Sequence, residues 1–280
     1  MKIVDTHQHL WDTDVFHYAW LDPLPKLNRS FRLMDYQEAI RGLEVEKTVF
    51  VECDVDERQV RDEALHILEL AEQPGSRIAG VVASARPEND NFDLHVDSLC
   101  RYPKLKGIRR ILHTQPDELG QRPIFSASVC KLADYGLSFD ICVLARQLPI
   151  AINLVAKCPR VTFILDHCGV PQVRERILEP WRWHIREISR FPNVFCKVSG
   201  IVAYADPANW TLDHLRPFVE HVLECFGWDR VMFGSDWPVC TLAASYKNWV
   251  ETLQALTQYA GEKNQAKLFR ENAIRVYRLD

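Results

Sequence analysis

Two histidines stand two residues apart near the start of the chain, in the run Asp5-Thr6-His7-Gln8-His9. In extended backbone, residues i and i+2 point to the same side, so both imidazoles face one point. That is what a divalent ion, zinc above all, requires of a single strand. With ten histidines in 280 residues, chance alone yields roughly 0.35 such pairs, so the spacing needs support from elsewhere. His167 closes the apolar run Ile164-Leu165-Asp166-His167-Cys168-Gly169, and Asp236 stands in Phe233-Gly234-Ser235-Asp236-Trp237-Pro238. A carboxylate beside imidazoles can take a proton from water and serve as a general base. The bland alternatives are a satisfied core histidine at 167 and a turn or cap aspartate at 236.

Further polar residues close other β-rich runs. Lys197 and one of Arg109 and Arg110 would place cations where they could bind substrate oxygens or stabilise an oxyanion. Strand alternation lets only one of the two arginines point inward, and counting back from Leu112 selects Arg109. Lys197 could equally be half of a structural ion pair. Glu52 and Asp140 are candidate substrate contacts, though acids at strand ends also cap the following helices. Trp11, Trp20 and Trp237 could stack on a sugar ring or pack in the core.

Other chemistries find little support. No G-x-S-x-G elbow, G-x-G-x-x-G or G-x-x-x-x-G-K-[ST] is present. The nine cysteines include no C-x-x-C pair, and most lie in apolar stretches such as Phe139-Asp140-Ile141-Cys142-Val143. This usage fits a reducing compartment, and with no apolar run near the ~20 residues of a membrane span a cytoplasmic location is expected. The formal charge is −4 with no long basic run, so neither nucleic acid nor an anionic membrane is expected as a partner.

What must position these residues is an alternation of short strands and longer helices. Eight runs read as buried parallel strands: Lys2–His7, Lys47–Cys53, Ile78–Ala85, Lys106–Leu112, Ser138–Leu144, Thr162–His167, Val194–Ser199 and Arg230–Ser235. Helical patterns cover Tyr36–Leu43 with Asp35 as N-cap, Asp56–Glu72, Pro149–Lys157, Pro180–Arg190, Leu212–Phe226, Ala244–Tyr259 and Glu262–Tyr277. Eight such units in 280 residues favour a single-domain (β/α)8 TIM barrel over residues 1–280, with a doubly wound open sheet as the alternative. In a barrel the active site lies at the C-terminal ends of the strands, where every candidate above falls. The long segment 12–31 after the first strand is placed to fold over that mouth.

The motifs Asp5-Thr6-His7-Gln8-His9-Leu10-Trp11-Asp12, Tyr18-Ala19-Trp20-Leu21, Leu165-Asp166-His167-Cys168-Gly169, Lys197-Val198-Ser199-Gly200 and Phe233-Gly234-Ser235-Asp236-Trp237-Pro238 resemble, in this order, the amidohydrolase superfamily, and its branch of sugar-acid lactonases most of all. Binuclear members of that superfamily use a bridging acid or carboxylated lysine on strand four and a histidine on strand five. Here those strands offer Arg109 and Asp140, which argues against two metals. The resemblance implies hydrolysis of an aldonic-acid lactone, such as fuconolactone or rhamnonolactone, with Asp236 as base. His7, His9, His167 and Asp236 would surround at most one divalent ion, zinc best, or work without metal. Arg109 and Lys197 would bind substrate. A pyrone-dicarboxylate lactonase, a metal-dependent decarboxylase and a non-catalytic binding protein on the same barrel are the alternatives.

Overall fold

The computed structural model describes residues 1–279. Its eight strands are β1 (Ile3–Gln8), β2 (Val45–Val51), β3 (Ile78–Ser84), β4 (Leu105–Ile111), β5 (Ser138–Cys142), β6 (Thr162–Leu165), β7 (Val194–Val198) and β8 (Val231–Phe233). They lie in sequence order, and each pairs in parallel with the next. Nearly all of their residues are buried, because helices cover the outside and side chains fill the inside. The helices are α1 (Leu33–Ala39), α2 (Val60–Ala71), α3 (Phe92–Cys100), α4 (Pro123–Tyr135), α5 (Leu148–Lys157), α6 (Trp181–Ile188), α7 (Leu212–Phe226), α8 (Tyr246–Thr257), α9 (Gly261–Ala266) and α10 (Asn272–Tyr277), the last two joined by a π-helical turn. This is the expected (β/α)8 barrel.

The sheet closes between β1 and β8. Asp236 N–H donates to the His7 carbonyl at 2.8 Å, and His9 N–H to the Trp237 carbonyl at 2.8 Å. The Asp5 carboxylate ties the seam from outside, accepting from Ser235 N–H (2.8 Å), Ser235 Oγ (2.6 Å), Tyr36 (2.9 Å) and Tyr246 (3.2 Å). A register shift in β1 between Asp5 and Gln8 sets three residue steps against two on β2. Such a bulge reorients side chains. Here Asp5 meets the tyrosines of α1 and α8 while His7 meets inward residues of β4 and β7. Two apolar clusters result: a large one holding sheet and helices together, and a small one of Val4, Val49, Val51, Val82, Ile164 and Met232 with Tyr277 and Leu279.

Several boundaries differ from the sequence reading. The first helix begins at Leu33, and Asp35 is its third residue, reaching back to accept the Arg32 N–H at 2.8 Å rather than serving as N-cap. Helices α3 and α4, unmarked in the sequence reading, bury Phe92, Val96 and Leu99, and Phe125, Val129 and Leu132. Strands β6 and β8 stop two residues early, at Leu165 and Phe233, because the chain turns there. Cys130 on α4 and Cys158 at the end of α5 form a disulfide that their spacing does not signal. Among the described residues no helix is long and apolar enough to cross a membrane.

Candidate active site

The four residues first singled out meet at the mouth. His7 Nε2 and His9 Nε2 lie 3.1 Å apart. Asp236 Oδ1 is 3.5 Å from His9 Nε2, 3.9 Å from His7 Nε2 and 4.0 Å from His167 Nε2. Two of the four sit in left-handed backbone, His167 at φ 52° and Asp236 at φ 58°. Such strain outside glycine collects at functional sites. It also explains how the adjacent Asp166 and His167 both face inward, which straight strand geometry forbids. Two glycines make room: a Cβ on Gly200 would sit 2.6 Å from His167 Nδ1, and one on Gly234 2.7 Å from His7 Cβ.

Beneath the histidines lies a layer of buried charge. Arg109 points inward, as counted from Leu112. Its Nε donates to Glu52 Oε1 (2.7 Å), and its Nη1 reaches Asp166 Oδ2 (3.2 Å) and His7 Nε2 (3.3 Å). Arg110 turns away to Glu88 at 2.7 Å. Lys197 Nζ lies 2.5 Å from Asp140 Oδ2, 3.1 Å from Asp166 Oδ1 and 3.4 Å from His7 Nδ1. The Tyr277 hydroxyl donates to Asp140 at 3.1 Å. Lys197 and Asp140 are fully buried on the far side of the His7 ring from His9 and Asp236. At that depth both are placed to hold His7 and Asp166 from below. Burial pushes the Asp140 carboxyl up to about 6, although Lys197 pulls it back. Burial also disfavours the Asp166 anion, but Lys197, His7 and Arg109 outweigh it and hold Asp166 well below the usual carboxylate range.

Asp166 is the residue the sequence reading passed over: it joins His7, Arg109 and Lys197. Ser199, 3.0 Å from His167 Nδ1, and Tyr204, whose ring lies beside that of His167, were missed as well. So was His113, just past β4, whose imidazole is pushed down to about 4 by burial and by Arg109. Trp11 is 2% exposed, donates to the Arg29 carbonyl and packs against Trp20 and Phe31. Trp237 is packed between Phe31 and Tyr36. Both rings are held among neighbouring aromatic side chains. Trp20, half-buried, donates to the Cys53 carbonyl at 2.7 Å and stays near the β2 end of the mouth.

The donor set suits one divalent ion. His9 Nδ1 lies 2.7 Å from the Val51 carbonyl, which can only accept, so the proton is on Nδ1 and Nε2 carries a lone pair. On His7, Asp166 favours the proton at Nδ1, and Arg109 donates toward Nε2. Burial holds the His7 and His167 imidazoles below their usual range, hence neutral. Two ring nitrogens and a carboxylate oxygen therefore converge, with the Arg109 N–H at 3.3 Å as the one donor directed at them. These three atoms lie 3.1–3.9 Å apart, close enough for a single ion to be shared among them. The linked buried ions, Arg109 and Lys197 against Glu52, Asp140, Asp166 and Asp236, carry an excess of two negative charges, which one divalent cation balances.

A TIM barrel carrying an inward His-x-His pair on β1, a histidine after β6 and an aspartate after β8 defines a class of hydrolytic barrels. The family model described as Amidohydrolase matches residues 4–279, and the chain belongs to that family. It is 33% identical over 267 residues to L-fucono-1,5-lactonase of Burkholderia multivorans, covering 87% of this chain and 84% of that one. It is 29% identical over 285 residues to L-fucono-1,5-lactonase of Burkholderia ambifaria, covering 99% and 96%. Among solved structures, an amidohydrolase from Burkholderia multivorans with bound zinc superposes with a TM-score of 0.91 at 29% identity over the whole of both chains.

Proposed function

We propose that this protein hydrolyses the ring ester of a neutral sugar-acid lactone, a six-carbon aldonolactone of which L-fucono-1,5-lactone is the first to try. The observation that carries this reading is a carboxylate, Asp236, facing three buried imidazoles over a layer whose cations already have acid partners. Likeness to the two fuconolactonases supports the substrate class.

Oδ1 of Asp236 faces the histidines, and Oδ2 accepts a proton from water as its oxygen attacks the lactone carbonyl carbon. Arg109, fixed by Glu52 and Asp166, keeps one N–H, on Nη2, for the developing oxyanion. The ring C–O bond then breaks, and the departing alkoxide takes the proton back from Asp236. A zinc ion held by His7, His9 and Asp236, with His167 beside it, would polarise the carbonyl and acidify the water. An ester carbonyl needs less activation than an amide, so the residues alone are also chemically adequate.

The alternative substrate, a pyrone dicarboxylate, brings two negative charges. Arg109, Arg110 and Lys197 are all matched by Glu52, Glu88, Asp140 and Asp166, so a dianion would find no unmatched guanidinium or ammonium among them. A screen of aldonolactones with a pH indicator tests the reading. At least one six-carbon aldonolactone should turn over, and Asp236→Asn should lower kcat by at least ~100-fold. Turnover of 2-pyrone-4,6-dicarboxylate alone would transfer the assignment to that class. No turnover of either would leave a binding protein.

A further inference from the structure

The turn after β7 brings a tyrosine to the mouth. Gly200, at φ 65°, bends the chain over His167, and its carbonyl accepts from Ala203 N–H (2.8 Å) and Tyr204 N–H (3.2 Å). This sets the Tyr204 ring edge-on to His167, with centroids 6.1 Å apart at 72°. The far end of the segment is pinned where Trp210 donates to the Ala243 carbonyl at 3.0 Å. Tyr204 is half-buried, and its ring also borders an open cavity with Leu144 after β5 and Val170 after β6. Among the described residues its hydroxyl has no hydrogen-bond partner, although a phenol in such surroundings ordinarily finds one. The hydroxyl is nonetheless within electrostatic reach of Asp236, Asp166 and Arg109. Burial first, then Asp236, holds the phenol above its usual range, so it keeps its proton and remains a donor.

Negative charge gathers on the lactone carbonyl oxygen as water adds. Arg109 has one Nη2 N–H left to meet it, because Glu52, Asp166 and His7 take the others. We propose that Tyr204 is a further catalytic residue, resting on the hydrolysis proposed above, and that its O–H donates to this developing oxyanion across the mouth from Asp236. A hydrogen bond from a neutral donor strengthens as its acceptor gains charge, so it favours the transition state over the bound lactone. Tyr204 keeps its proton throughout. The proton of the attacking water passes to Asp236 and then to the departing ring oxygen, so the phenol needs no route for returning one.

Tyr204→Phe keeps the ring against His167 and removes only the hydroxyl. Tm should hold, because that hydroxyl bonds no described residue. With the aldonolactone that turns over fastest, kcat should fall about 100-fold, the usual worth of one oxyanion donor. KM should stay within about threefold, since the lost contact belongs to the transition state. A second readout needs no turnover. A six-membered cyclic phosphonate monoester, whose tetrahedral P–O⁻ copies the intermediate, should bind the wild type at least ~10-fold more tightly than the variant in calorimetry. If the wild type hydrolyses no lactone yet shows that preference, the substrate assignment falls and Tyr204 keeps its role as oxyanion donor. If the variant retains near-full kcat, if only KM rises, or if the phosphonate binds both proteins equally or neither, Tyr204 is not that donor.

Discussion

Asp166→Asn is the sharpest test of how the buried layer works. The substitution keeps the shape and removes one negative charge from contact with Lys197 (3.1 Å), Arg109 (3.2 Å) and His7 (3.3 Å). Breaking a buried ion pair costs about 3–5 kcal/mol when the partner is left alone. Here Lys197 keeps Asp140 at 2.5 Å and Arg109 keeps Glu52 at 2.7 Å, so the low end applies, about 3 kcal/mol. For a chain of this size that corresponds to a fall in Tm of about 6 °C. His7 also loses the acceptor that fixes its proton at Nδ1. Losing such an outer partner lowers metal affinity or activity by roughly 10–100-fold. The pH dependence gives a separate sign. Because Asp166 is held well below the usual carboxylate range, its stabilisation is complete at neutral pH and is lost as pH falls through its folded value. Wild type and variant should therefore converge in acid. Urea unfolding at pH 7 and at the lowest pH where both fold, with lactone kinetics alongside, measures all three. A variant within 0.5 kcal/mol of wild type (roughly the scatter of neutral surface changes) with unchanged kcat would make Asp166 a bystander.

Glu63 carries the opposite sign. Its carboxyl titrates at about 8 when folded, so stability should decline by a few kcal/mol as pH rises from about 5 to 8, a slope absent in Glu63→Gln and visible in chemical denaturation. Gly200→Ala should push His167 aside, because its Cβ falls 2.6 Å from Nδ1 at φ 65°; kcat should drop on the order of 100-fold while circular dichroism holds. Elemental analysis should find no more than one divalent ion per chain, and added zinc should raise Tm in wild type but not in His9→Ala.

The convergence of His7, His9, His167 and Asp236 was legible because each follows a strand whose apolar run and polar end are plain in the sequence. Arg109 was legible for the same reason, through alternation. Asp166 was not. Neighbours on a strand point to opposite faces, and only the left-handed turn at His167 lets both enter the barrel. The depth of Lys197 and Asp140 was also hidden, since inward direction does not say how far below the mouth a side chain ends. The crowding at Gly200 and Gly234 depends on atoms from distant strands. Helices α3 and α4, by contrast, carry apolar residues at i, i+4 and i+7, and that signal was available but unread.

The seam between β1 and β8 has a consequence for biosynthesis. The histidine pair emerges from the ribosome first among the site residues, and its carboxylate partner some 230 positions later. Until Ser235 docks onto Asp5, the His7 and His9 imidazoles have no counter-charge at Asp236 and the barrel has an open edge. On the proposed mechanism, hydrolytic competence therefore requires the closed seam. A chain cut before position 235 would keep the histidines but lack Asp236, and on the proposed mechanism it should not hydrolyse lactone.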